Sequence, residues 1–120
     1  MGIIIYEKEM VKVAEVVTDG IIITNAQDAL DLIVDPALEG SRRIIIDRKN
    51  IAPEFFDLST RFAGGILQKF VMYRVKLAIV GDFSDASEPL RAFICESNRG
   101  NEIFFCPDVE NAKTKLFGAE

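Results

Sequence analysis

The sequence predicts an α/β domain with a mainly parallel sheet opened by an antiparallel hairpin, in the element order β-β-(β)-α-β-α-β-α-β-α. Three observations carry that reading. Two β-rich runs stand side by side at the start of the chain, and after Thr24 short β-branched runs alternate with segments of helical period. The later runs, RIIID, VKLAIV and IFFC, are continuously apolar rather than alternating, as strands covered on both faces are. Strands that alternate with helices in this way form parallel pairs through crossover connections.

Ile3 to Tyr6 and Met10 to Val17 are the two opening runs, separated by Glu7-Lys8-Glu9. Asp19-Gly20 is a strong turn signal, and Ile21 to Ile23 behind it is a candidate third strand. Thr24 followed by Gln27 reads as a capping box, after which Ala26, Ala29, Leu30, Ile33 and Val34 mark one face of a helix that stops at Pro36. Arg43 to Asp47 is the next strand. Beyond the loop RKNIAPEFFD, the residues Phe62, Ala63, Ile66, Leu67, Phe70 and Val71 fall on one stripe of a second helix. Gly64-Gly65 lies inside that helix at a cost of about 1 kcal/mol per glycine relative to alanine, which implies either close backbone approach or a surface left bare. Val75 to Val80 is a buried strand. It is followed by a third helix with Leu90, Phe93 and Ile94 inward, started by Ser87-Glu88-Pro89 and ended near Asn98 and a left-handed Gly100. Ile103 to Cys106 is the last strand, and Asp108 caps a final helix with Val109, Ala112 and Leu116 inward.

Composition narrows the function classes. The 120 residues suit one domain, 1–120, and 49% hydrophobic with 28% charged residues is the balance of a soluble globular chain. A net charge of −5, with basic pairs only at Arg42-Arg43 and Arg48-Lys49, argues against nucleic acid and against anionic membranes as partners. No basic leader and no apolar run of about 18 residues is present, so a cytoplasmic location is expected. Cys95 and Cys106 sit in apolar contexts at a spacing that fits neither a metal site nor a redox pair, which implies buried reduced thiols. The absence of histidine removes Ser-His and Cys-His nucleophiles and the usual transition-metal sites, and no catalytic residue or cofactor is assigned.

Two sets of candidate site residues remain. Three strands ending at Asp47, Val80 and Cys106 in parallel would bring Asp47, Asp82 and Asp108 to one carboxyl edge, where a divalent ion would make the chain a small ligand- or metal-binding enzyme. The other set is the approach to the second helix, Phe55 to Arg61, with the loop Asp82 to Asp85. Phe55 and Phe56 would anchor a partner there, and Ser59 or Thr60 would carry a phosphate favoured by the helix dipole. The segment GDFSDASEP lacks the glycine spacing and lysine of a phosphate-binding loop, so it supports no nucleotide site.

The runs PEFFDL, ILQKF, YRVKLAIVGDF and ESNRG resemble a bacterial family defined as domain of unknown function 4180, over nearly the whole chain. The element order and the strand-loop-helix step at IIIDRKNIAPEFFDLST also look like the STAS domains, the anti-sigma factor antagonists that bind a kinase and are switched by phosphorylation of a serine at the start of their second helix. That resemblance points to Ser59. The chain departs from the STAS pattern, in which the acid is followed by two small hydroxyl residues and a glycine, by having Asp57-Leu58-Ser59-Thr60-Arg61.

The expectation is a STAS-like, non-enzymatic interaction or regulatory module. Its partner surface is Phe55, Phe56, Asp57, Ser59, Thr60 and Arg61 together with Asp82, Phe83, Ser84 and Asp85. A protein partner is expected, and a homodimer is compatible with the sequence.

Overall fold

A computed structural model describes residues 1–119. Strands β1 (Gly2–Lys8), β2 (Val11–Val17), β3 (Arg43–Asp47), β4 (Lys76–Val80) and β5 (Ile103–Cys106) form one sheet in the order β1-β2-β3-β4-β5. The β1–β2 pair is antiparallel and every later pair is parallel. Helices α1 (Ala26–Ile33), α2 (Phe62–Met72) and α3 (Glu88–Arg99) are the three crossovers, and α4 (Val109–Gly118) follows the last strand.

Strand order equal to chain order has a direct packing consequence. Each crossover moves one place in the same direction, so connections of one hand must lay their helices on one face. The alternation of strand side chains agrees. Ile44, Ile46, Leu77, Ile79, Ile103 and Phe105 pack with Ala29 and Leu32 of α1, with Ile66 and Phe70 of α2, and with Phe93 and Ile94 of α3. Ile45, Ala78, Val80, Phe104 and Cys106 point the other way, toward Ala112 and Leu116 of α4. Both faces of β3 and β4 are therefore dry, which is why those strands read as unbroken apolar runs. Arg43, on the α4 face, donates to the carbonyls of Leu116 and Ala119 and fastens the end of α4.

Several local expectations are corrected. The opening hairpin turns at Glu9-Met10, with φ of 52° and 69°, the paired positive values of a type I′ turn. Neither residue is the glycine or asparagine that announces such a turn, so the sequence hid it. Ile21 to Ile23 is not a strand. Only Ile23 bridges, to Ile51, because buried Asn50 holds this segment with its backbone oxygen on the Ile22 and Ile23 amides and its Nδ2 on the Thr18 and Gly20 carbonyls. The first helix is capped by Asn25, whose side chain accepts from the Asp28 amide, while Asp28 accepts from Thr24. Gln27 instead donates to Asp31. Leu32 is buried and Val34 is exposed, the reverse of the expected stripe. Gly100 has φ of −84° and is not left-handed. Cys95 is exposed, while Cys106 is buried as expected.

Among the described residues no helix is long and apolar enough to cross a membrane. At Gly64 and Gly65 a Cβ would meet no atom within 4 Å, so close packing does not account for the pair. Both side-chain positions are exposed. Gly64→Ala and Gly65→Ala should each stabilise the fold by about 0.5–1 kcal/mol, because helical backbone entropy is saved and nothing is displaced. Urea unfolding checks this, and a lower midpoint for either would contradict it.

Within the hairpin, the Tyr6 hydroxyl donates to Glu15 at 2.6 Å, and Lys113 of α4 lies 4.1 Å from the ring centroid. The bond to Glu15 is the main reason that the phenol is pushed up from 10.0 to about 12, with burial second. A pKa raised on folding stabilises the protein fully below the unfolded value of 10.0, and this contribution disappears as pH rises through about 12. Near-ultraviolet titration should show this tyrosinate forming near pH 12, and Glu15→Gln should lower its midpoint.

Candidate functional site

Parallel β3 and β4 end in register at Asp47 and Val80, so the loops that follow them emerge side by side. The β3 loop begins with a 3-10 turn, Arg48–Asn50, whose cap is Asp47 accepting from the Lys49 amide at 2.9 Å. The β4 loop begins at Gly81-Asp82, where Asp82 accepts from the Ser84 amide at 2.9 Å. Between them lies Arg48. Its guanidinium carbon is 5.1 Å from the ring centroid of Phe56 and 5.1 Å from that of Phe83. Arg48 also donates to the Asp82 carbonyl and pairs with Asp85 at 3.6 Å.

This guanidinium held between two rings is continuous with the core. Phe56 meets Phe55 at 4.9 Å, Phe83 meets Phe105 at 5.3 Å, and Phe105 meets Phe93 at 6.0 Å. Ring contacts of this kind add about 0.5–1.5 kcal/mol each beyond their burial, and a cation over a ring adds about 0.5–2 kcal/mol. The rim is thus a rigid extension of the interior. Beside it opens a depression of about 530 Å³ lined by Ile21, Ile51, Pro53, Phe56 and Gly81 together with the charged Asp47, Arg48, Lys49 and Asp82.

The expected partner residues divide into two groups. Phe56, Phe83 and Asp85 surround Arg48, and Asp82 meets it through the backbone. Phe55 is 1% exposed and belongs to the core, which removes it as a partner anchor. Ser59 and Thr60 lie in a separate exposed 3-10 turn, Leu58–Thr60, capped by Asp57 and placed ahead of the second helix rather than at its head. Arg61 separates the two with a left-handed φ of 60°, and α2 starts at Phe62. The Ser59 hydroxyl donates to Asp57 at 2.6 Å, and Thr60 donates to the Glu54 and Asp57 carbonyls at 2.9 and 2.8 Å. Ser84 is exposed.

Hydrogen bonds from the Ser59 hydroxyl and amide hold the Asp57 carboxyl below its usual 3.8. The Ser84 amide and hydroxyl do the same for Asp82, with a lesser contribution from Arg48. For Asp108 the Asn111 amide is the largest cause, followed by the Asn111 side chain. Each contribution is present above the ordinary aspartate value and is lost as pH falls through the depressed one.

The acidic trio does not gather. Asp47, Asp82 and Asp108 each cap their own turn, and among the described residues no group of three or more His, Cys, Asp or Glu could hold a metal ion. Topology explains this. A ligand crevice at a carboxyl edge forms where crossovers from adjacent strands leave in opposite directions. Here all three move the same way.

Arg48 was hidden in the sequence as half of a basic pair. The one signal was an arginine directly after a strand, with aromatic residues on two loops able to flank it. The profile of the family described as "Domain of unknown function (DUF4180)" matches residues 8–116, and the chain belongs to that family. No curated protein and no solved structure matches it.

At Gly81 a Cβ would lie 2.9 Å from Arg48 Cβ and 3.3 Å from its Cδ. Gly81→Ala should destabilise by about 1–3 kcal/mol, as overpacking does. Combined with Arg48→Gly the loss should be smaller than the sum of the two single losses, since both obstructing atoms, Cβ and Cδ, are then gone. Urea midpoints of the four proteins check this, and additive losses would contradict it.

Proposed function

We propose that this member of the family is a non-enzymatic interaction or regulatory module of STAS-like type, binding a protein partner through the rim around Arg48. The observation that supports it is the Phe56–Arg48–Phe83 stack beside an open, largely apolar depression. Aromatic residues and arginine fixed in place before contact are the composition of interface hot spots, because little side-chain freedom is lost on binding. The STAS-like part of the proposal draws on the element order, an antiparallel opening followed by parallel strands and a terminal strand and helix.

Ser59 is the proposed control point. Its hydroxyl is exposed and now donates to Asp57. A phosphoryl group on that oxygen would remove the donor and set up to about two negative charges beside a carboxylate, opening the turn that leads into α2. Net charge −5 supports a protein rather than nucleic acid or a membrane as the target, and two unpaired cysteines support a cytoplasmic setting.

Affinity capture from the source cell with wild type, Arg48→Glu, Ser59→Ala and Ser59→Asp tests the reading. A partner held by wild type and Ser59→Ala should be lost with Arg48→Glu and weakened at least tenfold, about 1.4 kcal/mol, with Ser59→Asp. Identical partner sets for all four proteins would refute it.

A further inference from the structure

The two edges of the sheet are treated differently. Along β5 the side-chain amide of Asn98 stands in for a neighbouring strand: its Oδ1 accepts from the Phe105 amide at 2.8 Å and its Nδ2 donates to the Phe105 carbonyl at 3.2 Å. That edge is closed to further pairing. Strand β1 has no such cover. It is seven residues long, without proline, and pairs with β2 through an unbroken register free of bulges. Among the described residues no backbone hydrogen bond from outside the hairpin reaches it. Natural sheets blunt an edge with bulges, prolines, charged side chains or covering loops; this one has no bulge or proline, its charges Glu7 and Lys8 lie at the turn end, and among the described residues the nearby 3-10 turn Pro36–Leu38 makes no hydrogen bond to it.

The type I′ turn fixes which groups face outward. In a two-residue hairpin the residues flanking the turn, Lys8 and Val11, form a hydrogen-bonded pair. Tyr6, Ile4 and Gly2 then also bond to β2, and the N–H and C=O groups of Ile3, Ile5 and Glu7 point away from the sheet.

We propose that β1 pairs antiparallel with β1 of a second copy of this chain about a twofold axis at Ile5, joining the two sheets into one. The sequence of the strand selects this occupant. Centred on Ile5, all seven residues Gly2–Lys8 overlap, and Ile5 faces Ile5, Ile3 faces Glu7, Ile4 faces Tyr6 and Gly2 faces Lys8. The outward residues become the hydrogen-bonded pairs and exchange about six N–H···O bonds. No like charges oppose one another. On the α4 side, Ile4, which is 46% exposed, would lie opposite Tyr6 of the second copy as a non-hydrogen-bonded cross-strand pair.

Sedimentation equilibrium up to about 100 µM, saturating for a micromolar complex, reads the assembly. The wild type should have twice the 13.4 kDa chain mass. Ile4→Lys, which places two ammonium groups near the axis while facing Glu15 across its own hairpin, and Glu7→Pro, which removes an outward N–H, should give the chain mass with unchanged circular dichroism. In a Cys95→Ser background, Ile5→Cys should cross-link under mild oxidation, because hydrogen-bonded antiparallel pairs are about 5.5 Å apart at Cα and within disulfide reach. Ile3→Cys, which would face Glu7, should not. A wild type at 13.4 kDa, dimers that survive both edge substitutions, or equal cross-linking through Ile3→Cys would overturn the proposal.

Discussion

Sequential strand order in the parallel part of the sheet is the constraint from which the rest of the molecule follows. With β2, β3, β4 and β5 side by side in chain order, three crossovers stack α1, α2 and α3 on one face and leave α4 alone on the other. The same order brings the β3 and β4 loops out as neighbours, so that Arg48 meets Phe83 of the β4 loop as well as Phe56 of its own. It also leaves no point where neighbouring crossovers diverge. A shallow rim with an aromatic floor forms in place of a ligand crevice.

The parts of the fold that were legible in the sequence are those set by burial. RIIID, VKLAIV and IFFC are continuous apolar runs because helices cover β3, β4 and β5 on both sides, and that pattern survives any detail of the loops. The caps at Ser87 and Asp108 were legible too, since each is a local contact between a side chain and an amide three residues on. What escaped was set by contacts distant in sequence or by uncommon backbone. Asn50 reaches back about thirty positions to hold Thr18 and Gly20, and so converts an expected strand at Ile21 to Ile23 into a pinned connection. Glu9, Met10 and Arg61 adopt positive φ without the residue types that signal it.

The candidate site was half legible for the same reason. Phe56, Phe83 and Asp85 were singled out as loop residues beside the second helix, but their common centre was not, because an arginine after a strand has no periodicity to reveal it. Phe55 and Phe56 are adjacent and of one type, yet one is in the core and the other on the rim. Backbone direction in a 3-10 turn decides that, and composition does not encode it. The carboxylates emerge at the edge where the strand order places them, and each accepts from an amide of its own turn, as the cap at Asp108 announces.

Rim and edge sit on separate elements, so the proposed partner binding around Arg48 and the proposed self-association along β1 would not compete for residues. The rim rests on β3 lying between β2 and β4 in parallel register. Nuclear Overhauser contacts across those strands measure this most directly. Ile45 should show parallel-strand backbone contacts to Glu15 on one side and to Ala78 on the other. Short Cα-proton to Cα-proton contacts from β3, the mark of antiparallel pairing, or a different strand beside Ile45, would contradict the strand order and with it the rim.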